Sequence, residues 1–170
     1  MNYPIFRAGE ILDMAIQIER QGIRFYEACA SSRFQQDVLE VLRRLIEQER
    51  LHVDIFSRMK AGLVDYSLPE TYTGEMRNYV DSFVRDQVFY QPAEAFRQAS
   101  DIEDPLKAIE FSIGFEKRSI LFYSAIKEVI RHSETKVVDD VIAQEHGHIR
   151  WLLELRHKLE QGGEPERKEA

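Results

Sequence analysis

The chain has 170 residues, enough for one domain with a sizeable core but not for two of ordinary size. Its 23 Lys and Arg stand against 30 Asp and Glu, and the net charge of −7 argues against nucleic acid or an anionic membrane surface as a partner. Charged residues are spread along the whole chain. No stretch therefore approaches the roughly 18 consecutive apolar residues of a membrane span.

The N-terminal residues lack the basic flank, the apolar run and the small-residue cleavage site of a signal peptide, so we expect a cytoplasmic protein. The single cysteine, Cys29, excludes an internal disulfide, a Cys-x-x-Cys metal knuckle and a dithiol redox pair. Because Cys29 falls on the inner face of the first predicted helix, we expect a buried, unreactive thiol.

Glycine and proline are scarce and clustered, and they divide the chain into four long blocks that predict four helices. The first helix is predicted from about residue 8 to residue 30. The second is predicted from about Phe34 to Ala61, where Gly62 supplies a stop.

The second pair of predicted helices begins after a long connection. Asp104 is a candidate N-cap followed by Pro105 at the first helical position, and this third helix is predicted to run to about Arg131. Ser133 is the candidate cap of the fourth helix, which is predicted to end near Gly162.

The connection from Leu63 to Glu103 is too long for a bare loop, so it should contain structure of its own. Its sequence predicts short helices at Glu75–Tyr90 and Pro92–Gln98. The whole chain is interpreted as one all-α domain over residues 1–162, followed by a charged, disordered tail at residues 163–170.

One face of each predicted helix follows the alternating four-residue and three-residue steps of helices that pack on other helices. This face is apolar except near its middle. There the second and fourth helices each carry a glutamate followed three residues later by a histidine, and the first and third helices each carry a lone glutamate. The six polar residues, in chain order, are Glu19, Glu49, His52, Glu116, Glu145 and His148.

The two halves of the chain repeat this pattern at a spacing of 96 or 97 residues. The matching pairs are Glu19 and Glu116, Tyr26 and Tyr123, Glu49 and Glu145, and His52 and His148. An antiparallel helical hairpin with its turn near residue 35, and a second with its turn near residue 131, would bring the polar groups level. Two such hairpins joined by the long crossover predict an antiparallel four-helix bundle.

Four carboxylates at the centre of such a bundle would repel one another, and burying an isolated ion has an idealised cost on the order of 20 kcal/mol. Two divalent cations would compensate this charge, and two imidazoles would complete a carboxylate-bridged dimetal site. Glu49 and Glu145 are the natural bridges, whereas Glu19 and Glu116 are the natural terminal ligands, one for each metal. Oxygen and imidazole ligands with open positions suit iron or manganese better than structural zinc. The alternative is a metal-free bundle whose polar groups satisfy one another.

These residues resemble those of ferritin-like di-iron carboxylate proteins, most closely rubrerythrin and its relatives. The resemblance covers about residues 8–160. It rests on the lone glutamates, on the two Glu-x-x-His motifs, and on Phe-Tyr pairs seven residues after each lone glutamate, Phe25-Tyr26 and Phe122-Tyr123. It implies a ferritin-like bundle that holds two iron ions, with manganese or a mixed pair as alternatives, and in which the four glutamate ligands are also the catalytic residues.

Two departures from the family pattern bear on function. Typical rubrerythrins carry a rubredoxin-like module with four cysteines, whereas this chain has one, so the resemblance implies an external electron-donor protein. They also carry a further glutamate one turn beyond the third-helix ligand, which is associated with carboxylate-shift chemistry in efficient peroxide reduction. This chain has Ser119 there, and its symmetrical six-ligand set is similar to that of bacterioferritin.

Three functions remain open. The first is a dimetal oxidoreductase that reduces peroxide or dioxygen, for which Gly22 and Ser119 would leave space beside the lone glutamates. The second is an iron-handling protein that oxidises Fe(II) for storage or transfer, and the third is a non-enzymatic scaffold with a vestigial metal site. Tyr26 and Tyr123 are interpreted as core tyrosines, with hydroxyl groups that could reach a ligand on a neighbouring helix.

Apolar residues beside the inner faces predict association. A soluble monomer rarely exposes this much apolar surface, so we expect a two-fold homodimer. The residues concerned are Ile23, Phe25, Ile46, Phe111 and Phe115 in the helices, with Tyr79, Phe83, Phe89 and Tyr90 in the crossover.

Overall fold

Four long helices account for most of the computed structural model, which describes residues 8–63, 104–127 and 130–162. They are α1 (Ala8–Ala30), α2 (Gln36–Ala61), α3 (Pro105–Ile126) and α4 (Thr135–Gly162), and a short 3₁₀ helix, His132–Glu134, precedes α4. No β-strand occurs in these three ranges. The predicted all-α helical bundle is confirmed.

The predicted start of α3 and the predicted end of α4 near Gly162 are confirmed, whereas the end of α3 and the start of α4 differ from the prediction. Asp104 accepts a hydrogen bond from the Leu106 N–H at 2.9 Å with Pro105 in the first turn, as an N-cap residue should. The expected end of α3 near Arg131 is wrong, because the Arg131 backbone is extended at φ −60° and ψ 139°. Ser133 lies in the 3₁₀ helix instead of capping α4.

The helices form two antiparallel hairpins, α1 with α2 and α3 with α4, and these pairs make most of the contacts between helices. On the outside of the first hairpin, Lys60 contacts Asp13 at 2.6 Å and Arg50 contacts Glu27 at 2.8 Å, so the two chain directions oppose. The hairpins meet through α2 and α4 and through α1 and α3. The exposed ion pairs Lys60–Asp13 and Arg50–Glu27 contribute little to stability, but they show how α1 and α2 are aligned along each other.

The apolar core is divided into two clusters, one toward each end of the bundle. One cluster includes Leu12, Ala15, Phe56, Ile126 and Val138, and the other includes Phe25, Val38, Leu45, Ile109 and Leu152. In each helix the predicted polar residues fall between the members of these two clusters. The polar layer is therefore sealed by packed apolar side chains above and below.

The expected apolar outer face is only partly present. Phe25 and Ile46 are buried within the bundle, so their assignment to the outer surface is wrong, while Ile23, Phe111 and Phe115 are partly buried against the core. Within the three described ranges, the exposed large apolar side chains are Leu51, Leu121 and Leu153. The crossover aromatics lie outside the described residues, and the homodimer stays a prediction.

Three other predictions also fall on residues that are not described: the short helices at Glu75–Tyr90 and Pro92–Gln98, and the tail at residues 163–170. The single-domain division likewise stays a prediction. None of the described helices combines the length and the low charge content that a membrane crossing requires.

Gly22 is a point of close contact between the two hairpins. A β-carbon at this position would lie 2.8 Å from Phe115 Cε1 and 3.3 Å from Phe115 Cζ, and 3.7 Å from Glu49 Cγ. The space that we expected beside Gly22 is therefore filled by the Phe115 ring. This ring also packs edge-on against Tyr26, with the ring centroids 6.4 Å apart.

We predict that Gly22→Ala destabilises the protein by about 1 kcal/mol, because overpacking costs about 1–3 kcal/mol and better helix propensity returns about 1 kcal/mol. In a Phe115→Leu background the same substitution should be neutral or stabilising. Gly147→Ala is the matched control, since its β-carbon would meet only Arg150 Nη2 at 3.8 Å. Urea denaturation measures all of these free energies of unfolding. Equal destabilisation by Gly22→Ala in the wild-type and Phe115→Leu backgrounds would contradict the close contact between Gly22 and Phe115.

Candidate metal centre

All six predicted polar residues lie together in the middle of the bundle with no exposed surface. The helices α1 and α3 each contribute one glutamate, and α2 and α4 each contribute a glutamate and a histidine. Residues three apart lie on one face of a helix, so each Glu-x-x-His motif directs both of its side chains inward.

These side chains form two overlapping groups of four. In each group the potential ligand atoms all lie within 4.8 Å of one another. One group is Glu19, Glu49, His52 and Glu145, and the other is Glu49, Glu116, Glu145 and His148. Glu49 and Glu145 belong to both groups, as bridging carboxylates would, while each lone glutamate belongs to one.

Both imidazole rings direct Nδ1 toward the carboxylates. His52 Nδ1 lies 3.1 Å from Glu145 Oε1 and 3.4 Å from Glu49 Oε2. His148 Nδ1 lies 2.9 Å from Glu145 Oε2 and 3.4 Å from Glu49 Oε1. Nδ1 is therefore the nitrogen that each histidine offers to a metal, and Nε2 points away from the carboxylates.

Two tyrosines cross from one hairpin to the other. The Tyr26 hydroxyl on α1 donates a hydrogen bond to Glu116 Oε1 on α3, and the Tyr123 hydroxyl on α3 donates to Glu19 Oε1 on α1. Both tyrosines are fully buried, as expected of core residues. Their hydroxyl groups reach carboxylates on neighbouring helices and hold them in place.

Burial dominates the electrostatics of the two lone glutamates. It raises the pKa of Glu19 and that of Glu116 well above the usual value, and the nearby charges of Glu49 and Glu145 raise them further. Burial and the adjacent carboxylates likewise raise the pKa of Tyr26 and that of Tyr123, so both hydroxyl groups stay protonated at neutral pH.

At Glu49 and at the two histidines, the neighbouring side chains outweigh burial in setting the pKa. Burial alone would raise the pKa of Glu49, but the close approach of Glu19, His148 and His52 lowers it. Burial alone would lower the pKa of each histidine, but the surrounding carboxylates outweigh burial, and they raise the pKa of His148 to about 12. In the absence of cations, protons on the imidazoles and on the lone glutamates compensate the carboxylate charge.

The donor set fits a pair of divalent metal ions. Nine buried oxygen and nitrogen atoms of the six residues make no hydrogen bond within the described part of the chain. Leaving a buried polar atom unpaired costs about 1–3 kcal/mol, so this concentration of unpaired acceptors needs a cationic partner. Four carboxylates and two Nδ1 atoms in two groups are the ligands of a carboxylate-bridged dimetal site.

Ser119 supplies no ligand. It is nearly fully buried, and its hydroxyl donates to the Phe115 carbonyl on its own helix at 3.3 Å. The side chain stays on the helix backbone one turn from Glu116, and the position adds no carboxylate to the site.

Sequence reasoning missed two residues that contact the histidines. Gln144 Oε1 lies 2.9 Å from His52 Nε2, and the Trp151 ring centroid lies 5.4 Å from that of His148. The guanidinium of Arg44 lies over the Trp151 ring, 3.7 Å from its centroid. None of the three lies on the inner face of its helix, so the periodic pattern of apolar residues could not identify them.

The comparisons with known proteins agree with this architecture. A ferritin-like diiron-carboxylate protein from Thermotoga maritima, known from its crystal structure, is 25% identical to this chain with a TM-score of 0.64. The match covers 92% of this chain and 98% of that one. No curated protein is significantly similar in sequence. The fold and the buried site together define a ferritin-like dimetal carboxylate protein.

The family follows from the sequence. The model of the rubrerythrin family matches residues 10–103, which is more than half of the chain. The chain therefore belongs to the rubrerythrin family. The likeness that the Glu-x-x-His motifs and the Phe-Tyr pairs indicated is confirmed.

We predict that divalent metal stabilises the protein through Glu145. An excess of Mn(II) at 100 times its dissociation constant should add about 2.7 kcal/mol, which raises the melting temperature by about 5–10 °C relative to protein with chelator. Glu145→Gln should abolish most of this shift. Glu154→Gln, an exposed position on the same helix, should retain it. Coincident melts of wild type with metal and with chelator would contradict a metal site.

We predict that Tyr26→Phe and Tyr123→Phe each destabilise the metal-free protein by about 1–3 kcal/mol, because each leaves a buried carboxylate oxygen without its donor. The two losses should be similar, since the two hydrogen bonds are related by the repeat. Urea denaturation in the presence of chelator measures both. A loss below about 0.5 kcal/mol in either variant would show that its hydrogen bond is not formed in solution.

Proposed function

We propose that this protein is a di-iron oxidoreductase that reduces peroxide or dioxygen with electrons from a separate donor protein. The supporting observation is the pair of overlapping ligand groups that share Glu49 and Glu145 in a fully buried layer. Each group supplies four residues, fewer ligands than an octahedral ion accepts, so positions remain for a small oxidant. A purely structural site would be closed by its protein ligands.

When bound, two ferrous ions would supply the two electrons that convert one hydrogen peroxide and two protons into two waters. The residues of the chain have three tasks in this reaction. The glutamates and histidines hold the ions, the two apolar clusters keep bulk water out, and the tyrosines keep protons at the edge of the site.

The protons are held on the atoms that border the lone glutamates. Tyr26 Oη and Tyr123 Oη are protonated and donate to Glu116 and Glu19, the carboxylates with raised pKa. Each tyrosine hydroxyl therefore places a proton within hydrogen-bond reach of a carboxylate that would hold the metal. Tyr123–Glu19 belongs to the ligand group of His52, and Tyr26–Glu116 belongs to the ligand group of His148.

The electrons must come from outside the described residues. Cys29 is fully buried, and burial raises the pKa of its thiol to about 11, which keeps it in the unreactive protonated form. This agrees with the expected inert thiol. A separate one-electron donor protein is accordingly part of the proposal.

Iron oxidation for storage or transfer is the second candidate, and Ser119 favours it. The described site has the symmetrical six-residue set without a seventh carboxylate at this position. In this function Fe(II) is the substrate, and successive ferrous ions give up electrons to the oxidant and leave as Fe(III).

Stopped-flow mixing of the di-ferrous protein with hydrogen peroxide, and separately with dioxygen, tests the proposal. We expect oxidation by at least one of the two oxidants, and this oxidation should stop after two Fe(II) per chain. Glu116→Gln should slow it by at least tenfold, whereas the exposed control Glu110→Gln should not. Continued oxidation of many Fe(II) per chain would favour iron handling, and no reaction with either oxidant would contradict both functions.

A further inference from the structure

We propose that the two metal positions are inequivalent: the position that includes His52 binds the first ion, and the position that includes His148 binds the second. Gln144 acts as the positioning residue that creates the difference. This inference concerns metal binding alone, so it stands or falls independently of the reaction that the centre carries out.

The first observation is the hydrogen bond that fixes the His52 ring. His52 Nε2–H donates to Gln144 Oε1 at 2.9 Å, from α2 of one hairpin to α4 of the other. A metal ion on Nδ1 displaces any proton there, and the Nε2–H then keeps its acceptor, which is the tautomer that a metal ligand needs. The ring is therefore oriented for metal binding before an ion arrives.

The second observation is that His148 has no such partner. Its Nε2 is buried and neither donates nor accepts a hydrogen bond within the described residues. Gln48 stands at the position that matches Gln144 in the repeat, 96 residues earlier, yet it does not reach His148. The two halves of the chain carry the same residue here, and only one of the two glutamines contacts a ligand.

The His148 ring is held by stacking instead. The Trp151 ring packs against it with an interplanar angle of 37°, and Arg44 covers Trp151. In the other hairpin, the position that matches Trp151 is Ile55. Stacking restrains the plane of the imidazole but offers no acceptor for an Nε2–H, so it does not select the tautomer with a free Nδ1.

The energetic consequence follows from where the proton must go. A metal on Nδ1 requires the neutral ring to carry its proton on Nε2, and at His148 this N–H is buried without an acceptor. An unpaired buried N–H opposes metal binding, whereas a hydrogen-bonded partner of a ligating histidine typically raises the metal affinity by about 10- to 100-fold. Both effects favour the His52 position.

Cobalt(II) is a suitable probe, because its visible absorption reports each bound ion without turnover. We expect the anaerobic titration of wild type to show two steps of one equivalent each, with affinities separated by about 10- to 100-fold. Gln144→Leu should weaken the tight step by this factor, so that the two steps converge. Gln144→Glu retains an acceptor for His52 Nε2–H and should preserve the tight step. Gln48→Leu is the matched control and should change neither step.

Two ligand variants assign the steps. His52→Ala should remove the tight step and leave one weak equivalent, whereas His148→Ala should leave one tight equivalent. A single wild-type transition of two equivalents, a tight step that survives in His52→Ala, or equal effects of Gln144→Leu and Gln48→Leu would each overturn the proposal. Circular dichroism identifies a variant that fails to fold, and Gln144→Ser then replaces Gln144→Leu with the same expected weakening.

Discussion

Repulsion among four buried carboxylates is the constraint on which the rest of this structure depends. Glu19, Glu49, Glu116 and Glu145 lie in one layer with no exposed surface, where their charges are poorly screened. Two histidines, two tyrosine hydroxyl groups and a pair of divalent ions are the means by which the bundle compensates them. This arrangement is costly for stability alone, because apolar residues of similar volume would pack at no electrostatic cost. Metal binding accounts for this cost, whereas stability alone does not.

The duplicated hairpin explains how a short chain builds such a centre. Each hairpin supplies one lone glutamate and one Glu-x-x-His motif, and the apolar clusters on both sides set the height at which they meet. Each tyrosine then serves a carboxylate of the other hairpin, so neither half completes its site alone. The residues around the ligands differ between the two halves of the chain. The two ligand groups, although nearly symmetrical, therefore have different neighbours.

The helices and the six clustered residues could be predicted because apolar residues recur at a strict spacing along the inner face of each helix. A polar residue on such a face is easy to recognise. The period does not determine what occupies the space beside a residue, so the Phe115 ring against Gly22 was not foreseen. Gln144 and Trp151 were also missed, because they lie off the seam and their contacts depend on the rotation of α4. The end of α3 and the start of α4 differ from the prediction because the Arg131 backbone is extended.

The central claim is that these six residues hold two metal ions. Anomalous scattering from crystals of the iron-reconstituted protein, measured on both sides of the iron absorption edge, tests it most directly. The account predicts two peaks about 3.5–4 Å apart, both between Glu49 and Glu145, with one beside His52 and Glu19 and the other beside His148 and Glu116. A fully reconstituted crystal with no anomalous peak between Glu49 and Glu145, or with iron bound only elsewhere, would contradict it.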